Sequence, residues 1–180
     1  ITLRGLKPTK DEFLNVILAM YRKIKAYKQN IGSMVVHKDG EVFNSEIETL
    51  KKFSNQEKNL AVLLVSIKKN VPYRIFIEEN DKVHAPKPGV YAILSSNIGV
   101  LATTGYPIIT QGIARPLLVE LAFSNEEQDI KNVLQDIFYL SFMHWGSLQS
   151  KIKLPATIKY ADDLGSYIEL GVSDILTPPL

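Results

Sequence analysis

The longest apolar run in the chain, Leu60–Ile67, is the feature that most limits what it can fold into. A membrane-spanning helix needs about 20 consecutive apolar residues, so this run cannot cross a bilayer. Its length is typical of a β-strand. Further apolar segments, separated by Pro, Gly and Asn, predict strands at 73–78, 89–94, 99–104 and 117–122. The middle of the chain therefore predicts a sheet.

Segments with helical spacing lie on both sides of these strands. A helix is predicted over 9–28, where Thr9 and Glu12 have the spacing of a capping box. Others are predicted over 44–54, over 125–145 and from Pro155 to about Gly171. Met34-Val35-Val36 predicts a buried strand that ends in a turn. With no repeat or linker in the sequence, we expect a single α/β domain over residues 1–180.

Composition excludes several classes of site. The chain has no cysteine, so disulfides, thiolate catalysis and cysteine-based zinc sites are ruled out. Its three histidines are far apart in sequence, and it has neither a glycine-rich phosphate loop nor a nucleophile-elbow motif. The net charge of +2 does not by itself indicate a nucleic-acid partner. A cytoplasmic location fits the lack of cysteine and of a signal-peptide pattern.

Acidic residues at the ends of predicted elements are the strongest chemical signal. Asp39 directly follows a predicted strand, Asp162 lies early in the last helix, and Glu12 lies in the first helix. Each also has an ordinary structural explanation, namely a turn, a favourable helix-dipole position and a capping box. Together they indicate a site for a hard metal ion, because Mg²⁺ prefers carboxylate ligands.

Four stretches, in this order, resemble the PIWI domain of Argonautes. Residues 10–20 resemble the helix associated with its catalytic glutamate, and 34–41 (MVVHKDGE) its strand ending in H-R-D-G. Residues 110–117 (TQGIARPL) are similar to Q-G-T-x-R-P, and 154–162 (LPATIKYAD) to P-A-P-x-Y-Y-A-H/D. The resemblance implies a ribonuclease-H-like α/β fold. It also implies that this is the C-terminal portion of a PIWI domain and lacks the opening strands of the sheet.

The family's active site is a D-E-D-H/D tetrad that binds two Mg²⁺ or Mn²⁺ ions. By this resemblance Glu12 is the mobile glutamate, Asp39 the second aspartate and Asp162 the fourth ligand. The first aspartate has no counterpart and is expected on a strand before Ile1. The resemblance also implies that the carboxylate of Leu180 helps to hold a metal ion under the 5′-phosphate of the guide.

Basic residues gain a role from the same resemblance. Residues 66–69 and 73–76 are similar to a stretch of the family that follows the guide backbone. The expected nucleic-acid contacts are Lys68, Lys69, Arg74, Arg115, Lys151, Lys153 and Lys159. A solvated loop charge is the alternative at each of these positions.

The resulting hypothesis is that the chain is part of a prokaryotic defence nuclease, which cuts the strand paired to its guide. The alternative is an inactive PIWI module that binds guide and target without cutting. A third class is another ribonuclease-H-like nuclease or resolvase, which would leave 112–117 unexplained. The expected partners are guide and target nucleic acid, the missing N-terminal part of the PIWI domain and a MID domain, but no membrane. We expect this chain alone to cut nothing and to self-associate through the sheet edge at Met34–Val36.

Overall fold

The computed structural model describes residues 9–28, 30–104, 114–143 and 153–170. Within them lie four helices, α1 (Lys10–Tyr27), α2 (Asn44–Gln56), α3 (Ile130–Leu140) and α4 (Ala156–Glu169). The strands of the same residues are β1 (Ser33–Asp39), β2 (Ala61–Lys68), β3 (Ile77–Glu79), β4 (Lys82–His84), β5 (Tyr91–Ser95), β6 (Ile98–Leu101) and β7 (Leu117–Ser124). None of the described helices is both long and apolar enough to span a membrane.

The described strands form a mixed sheet in the order β1-β2-β7-β6-β5. β1 and β2 are parallel, whereas the other neighbouring pairs are antiparallel. β3 and β4 form a separate hairpin, whose turn residues Asn80 and Asp81 have φ of 53° and 58°. Positive φ at both positions is typical of a tight hairpin turn that follows the twist of its strands.

Helices cover both faces of the sheet. Alternate residues of β2 point to opposite faces, so Val62 and Leu64 pack against α1 and α2, whereas Leu63 and Val65 pack against α3 and α4. This explains why β2 is an almost uninterrupted apolar run, because both of its faces are buried. The architecture is three-layered, and the predicted α/β class is confirmed.

Most of the predicted elements are present, and α1 carries the predicted capping box between Thr9 and Glu12. The helix predicted over 125–145 is shorter and begins at Ile130, because the Asp129 side chain caps it by accepting from the Lys131 N–H. Asn125 belongs to the sheet instead, since its side chain bonds to the backbone of Val62 and Leu60.

Two strands differ from the sequence-based expectation. Of the segment 73–78, Ile77 and Glu78 alone are in a strand, where they pair with β4 rather than with the main sheet. Met34–Val36 is less buried than its apolar run predicts, since Val35 is 45% exposed, but its place at the edge of the described sheet agrees with the sheet edge expected there. The physical reason is that β1 pairs with β2 on one side and with no described strand on the other.

Candidate functional site

Asp39 is the last residue of β1, and the parallel pairing of β1 with β2 determines what lies beside it. Asp39 is the register partner of Ile67, so the end of β2 lies at the same sheet edge. The turn after Asp39 is well fixed, because the N–H of Gly40 donates to the Ile67 carbonyl over 3.0 Å. The Ser66 hydroxyl donates to the Gly40 carbonyl over 2.5 Å. Gly40 has φ of 87°, which favours glycine.

The helix α4 brings Asp162 to the same edge. Pro155 precedes its first residue, as the sequence predicts, and a proline suits this position because it needs no donor there. The Nδ1 atom of His37 lies 2.8 Å from the Thr157 hydroxyl, which joins β1 to the first turn of α4. Burial lowers the pKa of His37 to about 4, so the ring is neutral near pH 7.

Asp39 and Asp162 meet at one cation, the ammonium of Lys69. Its Nζ atom lies 2.6 Å from Oδ2 of Asp39 and 2.7 Å from Oδ2 of Asp162. These two oxygens are therefore at most about 5.3 Å apart, the sum of the two distances. Burial opposes the charge of Lys69, but the hydrogen bonds that its ammonium donates to Asp162 and Asp39, together with their negative charges, outweigh burial and raise the pKa of Lys69. Two residues that are 123 positions apart in sequence thus face a common point.

Glu12 lies in the capping box at the start of α1. Its Oε2 atom accepts from the Thr9 N–H over 2.8 Å, and it accepts from the Thr9 hydroxyl as well. These hydrogen bonds lower the pKa of the exposed Glu12 carboxyl. No described contact joins Glu12 to Asp39 or Asp162. Among the described residues, no group of three or more His, Asp or Glu side chains is arranged to hold a metal ion.

A buried ion pair that the sequence analysis missed supports the turn after β1. Both carboxylate oxygens of Glu46 accept from Lys38, at 2.5 and 2.6 Å, and the Glu46 side chain is 2% exposed. Glu46 also accepts from the Phe43 N–H over 2.8 Å. Lys38 and Asp39 are neighbours, so this pair holds the end of β1 on the side opposite Asp39. A glutamate three residues after the N-cap position, Phe43, of a predicted helix is the sequence signal that marks it.

The predicted basic residues fall into two groups. Lys68, Lys69 and Lys159 have carboxylate partners, namely Glu120 at 3.6 Å, the two aspartates described above, and Asp163. Among the described residues, no ion pair joins Arg74, Arg115 or Lys153 to a carboxylate. Lys151 lies outside the described residues, as does Leu180.

Arg74 and Arg115 lie close enough to Lys153 to influence its titration. Burial, followed by the positive charges of Arg115, Arg74 and Lys69, lowers the pKa of Lys153. The Lys153 ammonium donates to the Lys69 carbonyl over 2.8 Å, next to the two aspartates. We call Arg74, Arg115 and Lys153 the basic cluster. Its charges are not neutralised by a described carboxylate, which is the electrostatic condition for binding an anion.

Known proteins with similar sequences and structures are Argonautes. The family model described as the Piwi domain matches residues 4–170. The protein argonaute of Aquifex aeolicus is 31% identical over 142 residues, which cover 79% of this chain and 19% of that protein. The protein argonaute of Pyrococcus furiosus is 23% identical over 165 residues, covering 92% of this chain and 20% of the relative.

A solved structure of Clostridium butyricum Argonaute, bound to a guide DNA and a 19-mer target DNA, has a similar fold. Its TM-score is 0.75 at 25% identity, and the match covers 93% of this chain and 22% of that one. The chain spans about a fifth of the length of these relatives. Because the family model covers most of the sequence, the chain belongs to the Piwi domain family, and the similar fold agrees with this.

Proposed function

We propose that this chain is part of a nuclease that binds a guide–target duplex and cuts the target strand with Mg²⁺ or Mn²⁺. The observation that carries the proposal is the convergence of Asp39 and Asp162 on one cation, at 2.6 and 2.7 Å from it. The Argonaute of Clostridium butyricum, with a similar fold, is bound to guide and target DNA. That likeness supports a nucleic-acid duplex as the ligand here.

The aspartate pair fits a divalent metal ion. Mg²⁺ in proteins is bound through one or two carboxylates, while water and substrate phosphates supply the other ligands. Asp39 and Asp162 offer two oxygens to one point, which the Lys69 ammonium occupies in place of a metal ion. Two described carboxylates thus suffice for a weak site, and a third ligand would strengthen it. When bound, the metal ions supply a nucleophilic water and stabilise the leaving oxygen.

The protein's own residues position the reacting groups. Asp39 is held at the end of a strand whose turn is fixed by Gly40 and Ser66, so its carboxylate needs little reorganisation. Asp162 is held from the helix side by the contact between His37 and Thr157. The basic cluster offers positive charge to the sugar-phosphate backbone, and such contacts position a duplex without reading its sequence.

The test compares cleavage and binding in the full-length protein loaded with a guide. Asp39→Asn and Asp162→Asn should each reduce target cleavage by at least about a hundredfold, because each removes a charged metal ligand. Duplex affinity should stay within a few-fold of the unmodified protein. The matched control is Asp163→Asn, which changes the neighbouring aspartate that pairs with Lys159, and it should leave cleavage nearly unchanged.

The binding-only alternative gives a different result. If the unmodified protein binds guide and target but produces no cleavage in Mg²⁺ or Mn²⁺, the chain is part of an inactive binding module. If cleavage occurs and survives both substitutions, the aspartate pair is structural and the assignment of Asp39 and Asp162 is wrong.

A further inference from the structure

The Lys69 ammonium lies where a divalent ion would have to bind. It contacts Oδ2 of Asp39 and Oδ2 of Asp162, the same two oxygens that the proposed metal site uses. Lys69 is the only residue that joins both aspartates within the described part of the chain. A metal ion at 2.0–2.1 Å from these oxygens and an ammonium at about 2.7 Å from them cannot share the point between them.

Only the side chain of Lys69 has to move for the point to become available. Lys69 directly follows β2, whose pairing with β1 and β7 extends to Ile67 and Lys68. Its own carbonyl accepts from the Lys153 ammonium over 2.8 Å, which holds the backbone in place. The Lys69 side chain is 29% exposed, so solvent can receive the ammonium when it leaves. The exchange therefore requires no rearrangement of the sheet.

Electrostatics also favour an exchange of cations over simultaneous occupancy. Without a cation, the Asp39 and Asp162 carboxylates would repel each other across at most about 5.3 Å. One ammonium balances half of their charge, whereas one divalent ion balances all of it. We propose that the Lys69 ammonium is a built-in counter-ion of Asp39 and Asp162, which a divalent cation must displace before it can bind between them. This inference rests on the proposed metal-dependent function.

The experiment measures Mn²⁺ affinity directly, from the electron paramagnetic resonance signal of free Mn²⁺, on the full-length protein without nucleic acid. Lys69→Met should bind Mn²⁺ roughly tenfold or more tightly, since the ion no longer has to displace an ammonium that donates charged hydrogen bonds to both carboxylates. The matched control is Lys68→Met, because the Lys68 ammonium pairs with Glu120 and not with the aspartates. The Mn²⁺ affinity of this variant should equal that of the unmodified protein. Lys69→Arg keeps the positive charge and should show no gain.

Two outcomes separate this inference from the proposed function. If Asp39→Asn weakens Mn²⁺ binding but Lys69→Met does not strengthen it, the metal site stands and displacement of Lys69 is overturned. A gain in Lys69→Arg as large as that in Lys69→Met also overturns it. If neither Asp39→Asn nor Asp162→Asn changes Mn²⁺ binding, in the unmodified protein or in the Lys69→Met variant, the metal site itself is wrong.

Thermal unfolding covers the case in which Lys69→Met is too unstable to assay at low metal. The variant should then have a lower midpoint than the unmodified protein without metal, because two carboxylates lack a counter-ion. Saturating Mn²⁺ should restore most of that loss, since ligand binding to the folded state stabilises it. A Lys69→Met protein that Mn²⁺ fails to stabilise more than the unmodified protein overturns the inference.

Discussion

At the scale of single residues, the titration of His37 should be visible in the stability of the domain. Its ring contacts Thr157 and lines a cavity of about 300 Å³ together with Asp136. Burial lowers its pKa from the ordinary 6.5 to about 4, so the unfolded chain binds the proton more tightly than the folded one. Stability from this group is therefore complete above pH 6.5 and is lost as the pH falls towards 4.

We expect the free energy of unfolding to fall by about 1–2 kcal/mol from this group between pH 6.5 and 4, after discounting for solvent screening. Urea unfolding at pH 7.5 and 4.5 measures it in the unmodified protein and in His37→Gln, which cannot titrate. The variant should lose less stability between the two pH values. His84→Gln, at an exposed position on β4, is the control. An equal loss in His37→Gln and the unmodified protein would assign the pH dependence to other groups.

The carboxylates illustrate how far single residues are predictable from sequence. Asp39 and Asp162 are predicted as partners by the resemblance of residues 34–41 and 154–162 to the family's motifs, and Asp39 also ends a predicted strand, where α/β sheets place reactive groups. The bridge through Lys69 is not predictable in this way, since it depends on the register Asp39–Ile67 and on the angle of α4. Sequence spacing contains neither. Lys69 is therefore predicted as a phosphate contact, whereas the structure pairs it with both aspartates.

At the scale of elements, the packing of α3 on β6 depends on a missing side chain. A Cβ atom at Gly99 would lie 2.7 Å from Cδ1 of Leu134 and 3.3 Å from the Ala92 carbonyl oxygen. Leu134 is 1% exposed and has little room to move. Gly99→Ala should therefore destabilise the fold by about 1–3 kcal/mol, as expected when a methyl group is forced into a packed core.

Urea midpoints of the single and double variants measure this coupling. Leu134→Ala removes the obstructing methyl groups, so the double variant should be less destabilised than the sum of the two single changes. Gly165→Ala in α4 is the matched control, because nothing lies within 4 Å of its added Cβ. It should be neutral or stabilising by up to ~1 kcal/mol. A neutral Gly99→Ala would mean that α3 shifts freely against the sheet.

Element boundaries were less predictable than element types. Helical spacing finds α1 and α2 almost to the residue, since Thr9 caps the first and the apolar stripe of Ile47, Leu50 and Phe53 marks the second. The start of α3 was predicted too early, because Asn125 uses its side chain to bond β2 instead of joining the helix. That long-range contact has no local signature.

At the scale of the whole molecule, basic residues that are far apart in sequence lie close together in the fold. A net charge of +2 gives no sign of a nucleic-acid partner, yet Lys153 of the basic cluster donates to the carbonyl of Lys69, which bridges the aspartate pair, and Arg74 and Arg115 influence Lys153. The fold thus brings together cations from distant parts of the chain that have no carboxylate partner among the described residues, an arrangement that the total composition does not reveal. The resemblance in sequence predicts Arg74 and Arg115 as contacts, but their lack of a described carboxylate partner comes from the structure.

The basic cluster should determine how duplex binding depends on salt. A cation that contacts a phosphate releases a condensed counter-ion, so each contact adds roughly one unit to the slope of log affinity against log salt concentration. Replacing Arg74 and Arg115 by Gln in the full-length protein should flatten that slope by roughly two units, by a similar amount for every duplex sequence. Lys51 and Lys52 on α2, on the opposite face of the sheet, provide a matched control with the same change of charge.

Affinity is measured by fluorescence anisotropy of a labelled guide–target duplex over a series of KCl concentrations. Because the slope counts contacts, it distinguishes direct phosphate binding from a general loss of positive charge, which would affect both double variants equally. Equal slopes for the two variants would therefore return Arg74 and Arg115 to the role of solvated loop charges, with the duplex bound elsewhere on the protein.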